Sequence, residues 1–254
     1  MGDLMNLHNF IIGPTDTDSI SFCKHDMSIM SLEEQKSLLK ELNDLSPDFM
    51  IWSDDGYYDQ CITLKAKNYI LVKDGKTIIK GSAFKDTKKE LALKDMLKEY
   101  IDSLISYGIN YDKLVPIFHK YTKEANNIHD INRWTVKKTV TKKVLTGERT
   151  NETKVMDALK GQTLQEGDKV WVYAAIDGMT QAYAKGEPVT FKDRSPKMIP
   201  NCVLKIPAVW TKDEDKLHYV ERVYKTTEIL SNLLDMSHFT KFHLVKNRDL
   251  LTKL

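Results

Sequence analysis

Apolar positions repeat with two different periods along this chain, and the periods change where the polar punctuation falls. Phe10, Ile11 and Ile12 precede a polar stretch, and Ile20 and Phe22 then alternate with Ser19 and Ser21. That predicts two short strands within residues 10–22, turning back at the polar stretch. Ser31-Leu32-Glu33-Glu34 is a capping box that opens a helix. Leu32, Leu38, Leu39, Leu42 and Leu45 supply its apolar face, and Pro47 lies just past its end. Residues 49–52, 57–64 and 68–73 read as strands, with Asp54-Asp55-Gly56 and Asp74-Gly75-Lys76 as the turns between and after them.

From there the period lengthens. Residues 86–107 read as a long helix with Leu91, Leu93, Met96, Leu97, Ile101, Leu104 and Ile105 near helical spacing. A second helix is expected over residues 111–125. Residues 132–145 read as a basic strand, and Asn151 caps a short helix that stops at Gly161. Residues 169–176 form a β-branched and aromatic strand. Residues 178–207 carry Pro188, Pro196, Pro200 and Pro207 and read as irregular loop. A helix over residues 216–234 follows, with Tyr219, Val223, Ile229, Leu230, Leu233 and Leu234 inward. The last twenty residues or so, with His238, Phe239, Phe242 and His243, suit a docking tail or a frayed end.

Composition adds limits. A chain of 254 residues suits one or two domains with a real core. The charged fraction is 29% but balanced, with a formal net charge of +2, so bulk charge neither demands nor excludes nucleic acid. Distribution says more. Arg133, Lys137, Lys138, Lys142, Lys143 and Arg149 form a run with little acid among them. Such a run can neutralise phosphates and make binding salt-dependent; it equally suits a solvated strand face. Cys23, Cys61 and Cys202 lie far apart without metal-ligand spacing and read as reduced thiols of an intracellular, cytoplasmic protein. No apolar stretch approaches the roughly 20 residues that span a membrane.

The chemistry concentrates at Asp16 and Asp18, two apart between apolar runs. Residues i and i+2 of an extended chain project from one face. Paired carboxylates there can hold hard cations, as in two-metal phosphoryl transfer, where ions about 3.5–4 Å apart clamp attacking and leaving oxygens. Aspartate also favours turns that hold no ion. Lys65, Lys67 and Tyr69 share side-chain parity if the segment is a strand, and so would reach one surface. Lys80-Gly81 suits a close backbone approach, or simply a turn. Trp134 reads as core. His119 and His129 have no carboxylate or cysteine pattern around them, and no chemistry is assigned to them.

Asp16-Thr17-Asp18-Ser19-Ile20 resembles motif C of family B DNA polymerases. About fifty residues further on, Lys67-Asn68-Tyr69 resembles the family's Lys-x-Tyr motif, which holds the primer terminus at the palm–thumb boundary. Lys80-Gly81 stands in the place of the family's Lys-Gly dipeptide, with Lys85 near a basic position that often follows. Residues 161–173, from Gly161 through Trp171 to Tyr173, resemble the thumb segment in which a Gly-rich turn enters a strand. In order and spacing these matches cover most of the chain. One departure is plain: Pro14-Thr15 replaces the usual Tyr-Gly before the first aspartate, and proline belongs at strand edges or bulges.

The resemblance implies an α+β fold. Residues 1–82 would be the C-terminal part of a palm, with an antiparallel sheet and packed helices. Residues 83–254 would be a mostly helical thumb with a small β element. It implies that Asp18, supported by Asp16, ligates two Mg2+ ions together with an upstream aspartate absent from this sequence. Lys65, Lys67, Tyr69, Lys80, Gly81 and Lys85 would meet the primer strand, and Arg133, Lys137 and Lys138 the duplex. The exonuclease domain, the upstream palm motif and the fingers that bind deoxynucleoside triphosphates do not fit before Phe10. An N-terminal polymerase polypeptide would have to supply them, as in some bacteriophage family B enzymes encoded in two pieces; a truncated chain would read the same way. The isolated chain would then bind primer–template DNA and polymerise nothing. The alternative is a DNA-binding or replisome-interaction remnant that has lost its chemistry.

Overall fold

The computed structural model describes residues 8–16, 19–65, 67–81, 89–145, 163–184, 187–191 and 193–239. The fold is mixed α+β with antiparallel sheets. It divides into two compact units, Met1–Lys85 and Asp86–Leu254.

In the first unit, β1 (Phe10–Asp16) pairs with β2 (Ser19–Lys24), closing at Asp16 opposite Ser19. Between Ile12 and Thr15 the register slips. The extra residue falls on β1 at Gly13-Pro14, where a bulge spares proline the ladder bond it cannot make. Helix α1 (Leu32–Asp44) begins at the expected box: the Glu34 N–H donates to Ser31 Oγ at 3.2 Å, and the Ser31 N–H donates to Glu34 Oε2 at 2.7 Å. Leu38 and Leu42 are buried and pack with Phe10, Ile20, Phe22, Met30 and Trp52. Leu32 and Leu45, read as part of the same face, are instead exposed, because the buried stripe spans only the central turns of the helix.

A three-stranded antiparallel sheet follows, β3 (Gln60–Lys65), β4 (Asn68–Lys73) and β5 (Lys76–Lys80), with β4 central. Leu64, Ile70, Leu71 and Val72 are buried, and β1 contacts β3. Asp74 and Gly75 both have positive φ, 51° and 69°, the backbone of a tight hairpin turn. Residues 49–52 are not a strand. Trp52 is tied to the C-terminal end of α1 and the residues just past it instead: its N–H donates to Asn43 Oδ1 at 2.7 Å, its indole N–H donates to Ser46 Oγ at 2.9 Å, and its carbonyl accepts from Asn43 Nδ2 at 3.1 Å. Those bonds leave Phe49 and Ile51 in solvent.

In the second unit, α2 (Leu91–Tyr107), α3 (Tyr111–Asn126) and α5 (Lys216–Thr227) pack against one another. Leu93, Met96, Tyr100, Leu114, Phe118, Tyr121, Tyr219 and Val223 are all buried. Helix α2 starts later than expected, and Glu90 before it turns its carboxylate onto Arg222 of α5 (2.9 and 2.6 Å) rather than onto its own helix. Gly108, at φ 63°, ends α2. Residues 235–239 are docked: Tyr111 stacks on His238 at 3.9 Å, and the buried Phe239 meets Phe118 edge-on at 5.8 Å. Phe242 and His243 lie outside the described residues.

The basic segment is three short elements rather than one strand: a 3-10 turn (Ile131–Trp134), β6 (Val136–Thr139) and α4 (Lys142–Leu145). Strand β7 (Lys169–Gln181) pairs with β6 on one side and with β10 (Met198–Lys205) on the other. A two-residue hairpin, β8 (Tyr183–Ala184) with β9 (Glu187–Pro188), lies between. The proline-rich stretch read as loop therefore contains an eight-residue strand. Pro200 fits because the register slips beside it, with Gly178 of β7 at φ 75°. The helix expected to reach residue 234 ends at Thr227 and continues as a 3-10 turn and a bend. The helix expected after Asn151 lies outside the described residues.

Candidate functional site

Strand β1 delivers Asp16 to the end of the β1–β2 hairpin, where its backbone pairs with Ser19. Thr17 and Asp18 lie outside the described residues, as do Lys85 and Arg149 and the side chains of Asp16, Lys65 and Lys143. Hairpin β1–β2 is held from below by Phe10, Ile20 and Phe22 on α1, so the apolar residues flanking the aspartates anchor the hairpin. Carboxylate oxygens at a hairpin end suit a hard cation as donors. Among the described residues no cluster of three or more His, Cys, Asp or Glu side chains suits a metal ion.

The residues expected at a primer strand come together differently from their spacing. Lys67 is not on a strand; it stands in the β3–β4 turn at φ 59°. The parity that would align Lys65, Lys67 and Tyr69 is therefore broken: Lys65 pairs with Asn68, the first residue of β4, while Tyr69 pairs with Thr63. Cross-strand pairing supplies what parity does not. Tyr69 lies directly opposite Lys80 of β5, so the two share one face. Gly81, at φ 105°, presses on the same turn: a Cβ there would lie 2.5 Å from the Lys67 carbonyl oxygen and 2.6 Å from Asn68 Cγ. Glycine's freedom is spent on this internal approach, not on an open face. Two sequence motifs thirteen residues apart thus form one corner, with Lys67 and Lys80 exposed, Tyr69 half-buried and Asn68 buried beneath.

The basic segment separates by partner. Arg133 is consumed inside the unit, with Nη1 3.0 Å from Asp95 Oδ2 of α2 and Nε 3.1 Å from Glu124 Oε1 of α3. It braces two helices. Trp134 is buried and meets Tyr219 edge-on at 5.3 Å. Lys137 and Lys138 point to opposite faces of β6. Lys138 pairs with Val170 on the side where Val136 and Val172 pack. Lys137 lies opposite Trp171, its ammonium 5.8 Å from the ring centroid. Trp171 is 49% exposed and was given no role by the sequence reading. The alternation Lys169-x-Trp171 within a strand was the available signal.

Two further clusters have structural partners. Tyr173 donates to Asp213 Oδ1 at 2.8 Å, and Lys205 reaches Asp213 Oδ2 at 2.7 Å; burial and that acceptor push the Tyr173 phenol well above its usual range. A groove of about 460 Å3 beside α1 is lined by His8, Phe10, Lys24, Glu34 and Glu41 among others. Its polar groups pair among themselves, His8 with Glu41 at 2.9 Å and Lys24 with Glu34 at 2.7 Å. His119 and His129 acquire no metal-binding neighbours among the described residues.

No protein-family model matches the chain, and no curated protein matches it. Among solved structures, its fold resembles that of the family B DNA polymerase from the hyperthermophilic archaeon Pyrobaculum calidifontis, with a TM-score of 0.58 at 16% identity. The match takes in 92% of this chain and 28% of that one. The fold of this chain is therefore like that of a region of a family B DNA polymerase.

Proposed function

We propose that this chain is the C-terminal palm-and-thumb portion of a family B DNA polymerase, the palm spanning residues 1–82 and the thumb residues 83–254. One observation carries the reading: the fold likeness extends over 92% of the chain, and motif-like residues fall along that same stretch in the family's order.

Asp16 and Asp18 would hold two Mg2+ ions. Two carboxylates from one hairpin fit a hard cation but leave its shell incomplete, so a further aspartate from an N-terminal polymerase polypeptide would join them. When bound, the ions activate the primer 3′-hydroxyl and stabilise charge on the transferring phosphate and the leaving pyrophosphate. This chain's own residues position. Lys67, Lys80 and Tyr69, gathered at the β3–β5 corner, would meet the primer backbone by sequence-independent contacts, with Lys65 and Lys85 extending the surface; of the two β6 lysines, which face opposite ways, Lys137 on the open face would meet nucleic acid. Arg133 has a different job, since its guanidinium is bound to Asp95 and Glu124.

The test is reconstitution. Mixed with a polypeptide carrying exonuclease, fingers and the rest of the palm, the chain extends a primer when Mg2+ is added, and Asp18→Ala removes extension while leaving DNA binding. Extension that survives Asp18→Ala would defeat the catalytic assignment. The bulge at Gly13-Pro14, immediately before the aspartates, favours one rival, a DNA-binding remnant without chemistry. Binding of primer–template with no extension under any partner would select that rival.

A further inference from the structure

The face of β6 and β7 opposite the Val136–Val172 packing carries a feature that primer positioning does not use. Lys137 and Trp171 are directly opposed, and so are Thr139 and Lys169. Opposed residues of an antiparallel pair lie on one face, so Trp171 stands between Lys137 across the ladder and Lys169 two residues back along its own strand. Trp171 is half exposed, whereas Trp134 is buried against Tyr219 and Trp210 donates its indole N–H to Glu214 at 2.8 Å.

The charges of this face differ from those around it. Arg133 and Lys205 are neutralised by carboxylates at 2.7–3.1 Å. Among the described residues, neither Lys137 nor Lys169 has an ion pair to a carboxylate. Lys169 donates to the Thr139 hydroxyl at 2.8 Å, and Lys137 rests near the outer limit of cation–π contact with Trp171. Both ammonium groups can therefore turn to an incoming anion without breaking an ion pair. A half-exposed indole between two such cations matches a nucleotide once the Lys137 ammonium swings from the ring to a phosphate: a base for the ring and the flanking phosphates for the lysines.

We infer that Trp171, flanked by Lys137 and Lys169, is a stacking site for an unpaired base of a nucleic-acid strand. This deepens the polymerase reading and rests on it, by naming what Lys137 meets: an unpaired base stacked on Trp171 and the phosphates beside it.

The experiment is a fluorescence-anisotropy titration of the full chain with a labelled oligothymidylate, its abasic counterpart of equal length, and a blunt duplex. Wild-type protein binds the oligothymidylate more tightly than the abasic strand. Trp171→Ala weakens oligothymidylate binding by about fivefold or more, the scale of one lost base stack, with the abasic strand unaffected. Trp171→Phe retains most of the affinity, and Lys137→Gln with Lys169→Gln flattens the salt dependence. Equal affinity of wild type and Trp171→Ala for oligothymidylate overturns the inference. If duplex binding then persists, the polymerase reading survives it; if wild type binds no DNA of any kind, both fall. Self-association of wild type that Trp171→Ala abolishes, seen by sedimentation, would make this face a contact between chains and overturn the base-stacking assignment.

Discussion

A side chain at position 81 would collide with the β3–β4 turn. Its Cβ would sit 2.5 Å from the Lys67 carbonyl oxygen, on a backbone at φ 105° that L residues rarely adopt. Gly81→Ala is therefore expected to destabilise the chain by roughly 1–3 kcal/mol, read as a lower urea midpoint, and to weaken primer–template binding by displacing Lys67 and Lys80 together. Charge at single residues separates just as sharply. Arg133 spends its charge on Asp95 and Glu124, while Lys137 meets only an aromatic ring among the described residues. Lys137→Gln should lower the slope of log affinity against log salt by about one. Arg133→Gln should leave that slope nearly unchanged and lower thermal stability instead. An equal loss of slope from both would show that the two cations face DNA alike. Both residues are equally basic in sequence; only the acids that packing brings from α2 and α3 tell them apart.

Elements written by local rules were legible. The capping box of α1 forms both of its reciprocal bonds, and each uses only neighbours within one turn. Glu34 completes that box and also accepts from Lys24 at 2.7 Å. The Lys24 ammonium, then the Ser31 N–H, hold its carboxyl at about 2, down from the ordinary 4.5. A depressed carboxylate pKa contributes stability that is present above about 4.5 and is lost as pH falls through about 2. Wild type should thus exceed Glu34→Gln in urea midpoint at pH 6, with the gap narrowing below pH 4.5 and closing toward pH 2. A gap independent of pH would discount the ionised carboxylate. Elements that depend on partners outside themselves were misread. Four prolines suggested loop across residues 178–207, yet the register slip opposite Gly178 lets β10 pass through Pro200. The apolar run 49–52 suggested a strand, yet Trp52 found its hydrogen bonds on Asn43 in the last turn of α1 and on Ser46 just past it. Neither a slipped register nor a cross-element bond leaves a local trace.

At the scale of the molecule, the order of motifs along the chain is a property of sequence, and the two compact units follow the change from strand-rich to helix-rich patterning near residue 85. The fold, once formed, is like a region of a family B DNA polymerase, which the apolar periods alone could not specify. The sequence by itself determined which segments could be strands or helices and where the acidic pair falls between apolar runs, which depend on side-chain period and on bonds within a turn; the α+β class was what the family resemblance implied. The tertiary structure decided the rest. It set Tyr69 against Lys80 by strand pairing, tucked Gly81 under Lys67, withdrew Arg133 into a helix brace and left Trp171 half exposed between two lysines. Each of those outcomes joins residues brought into contact only when separate strands or helices pack, and a one-dimensional spacing carries no record of that.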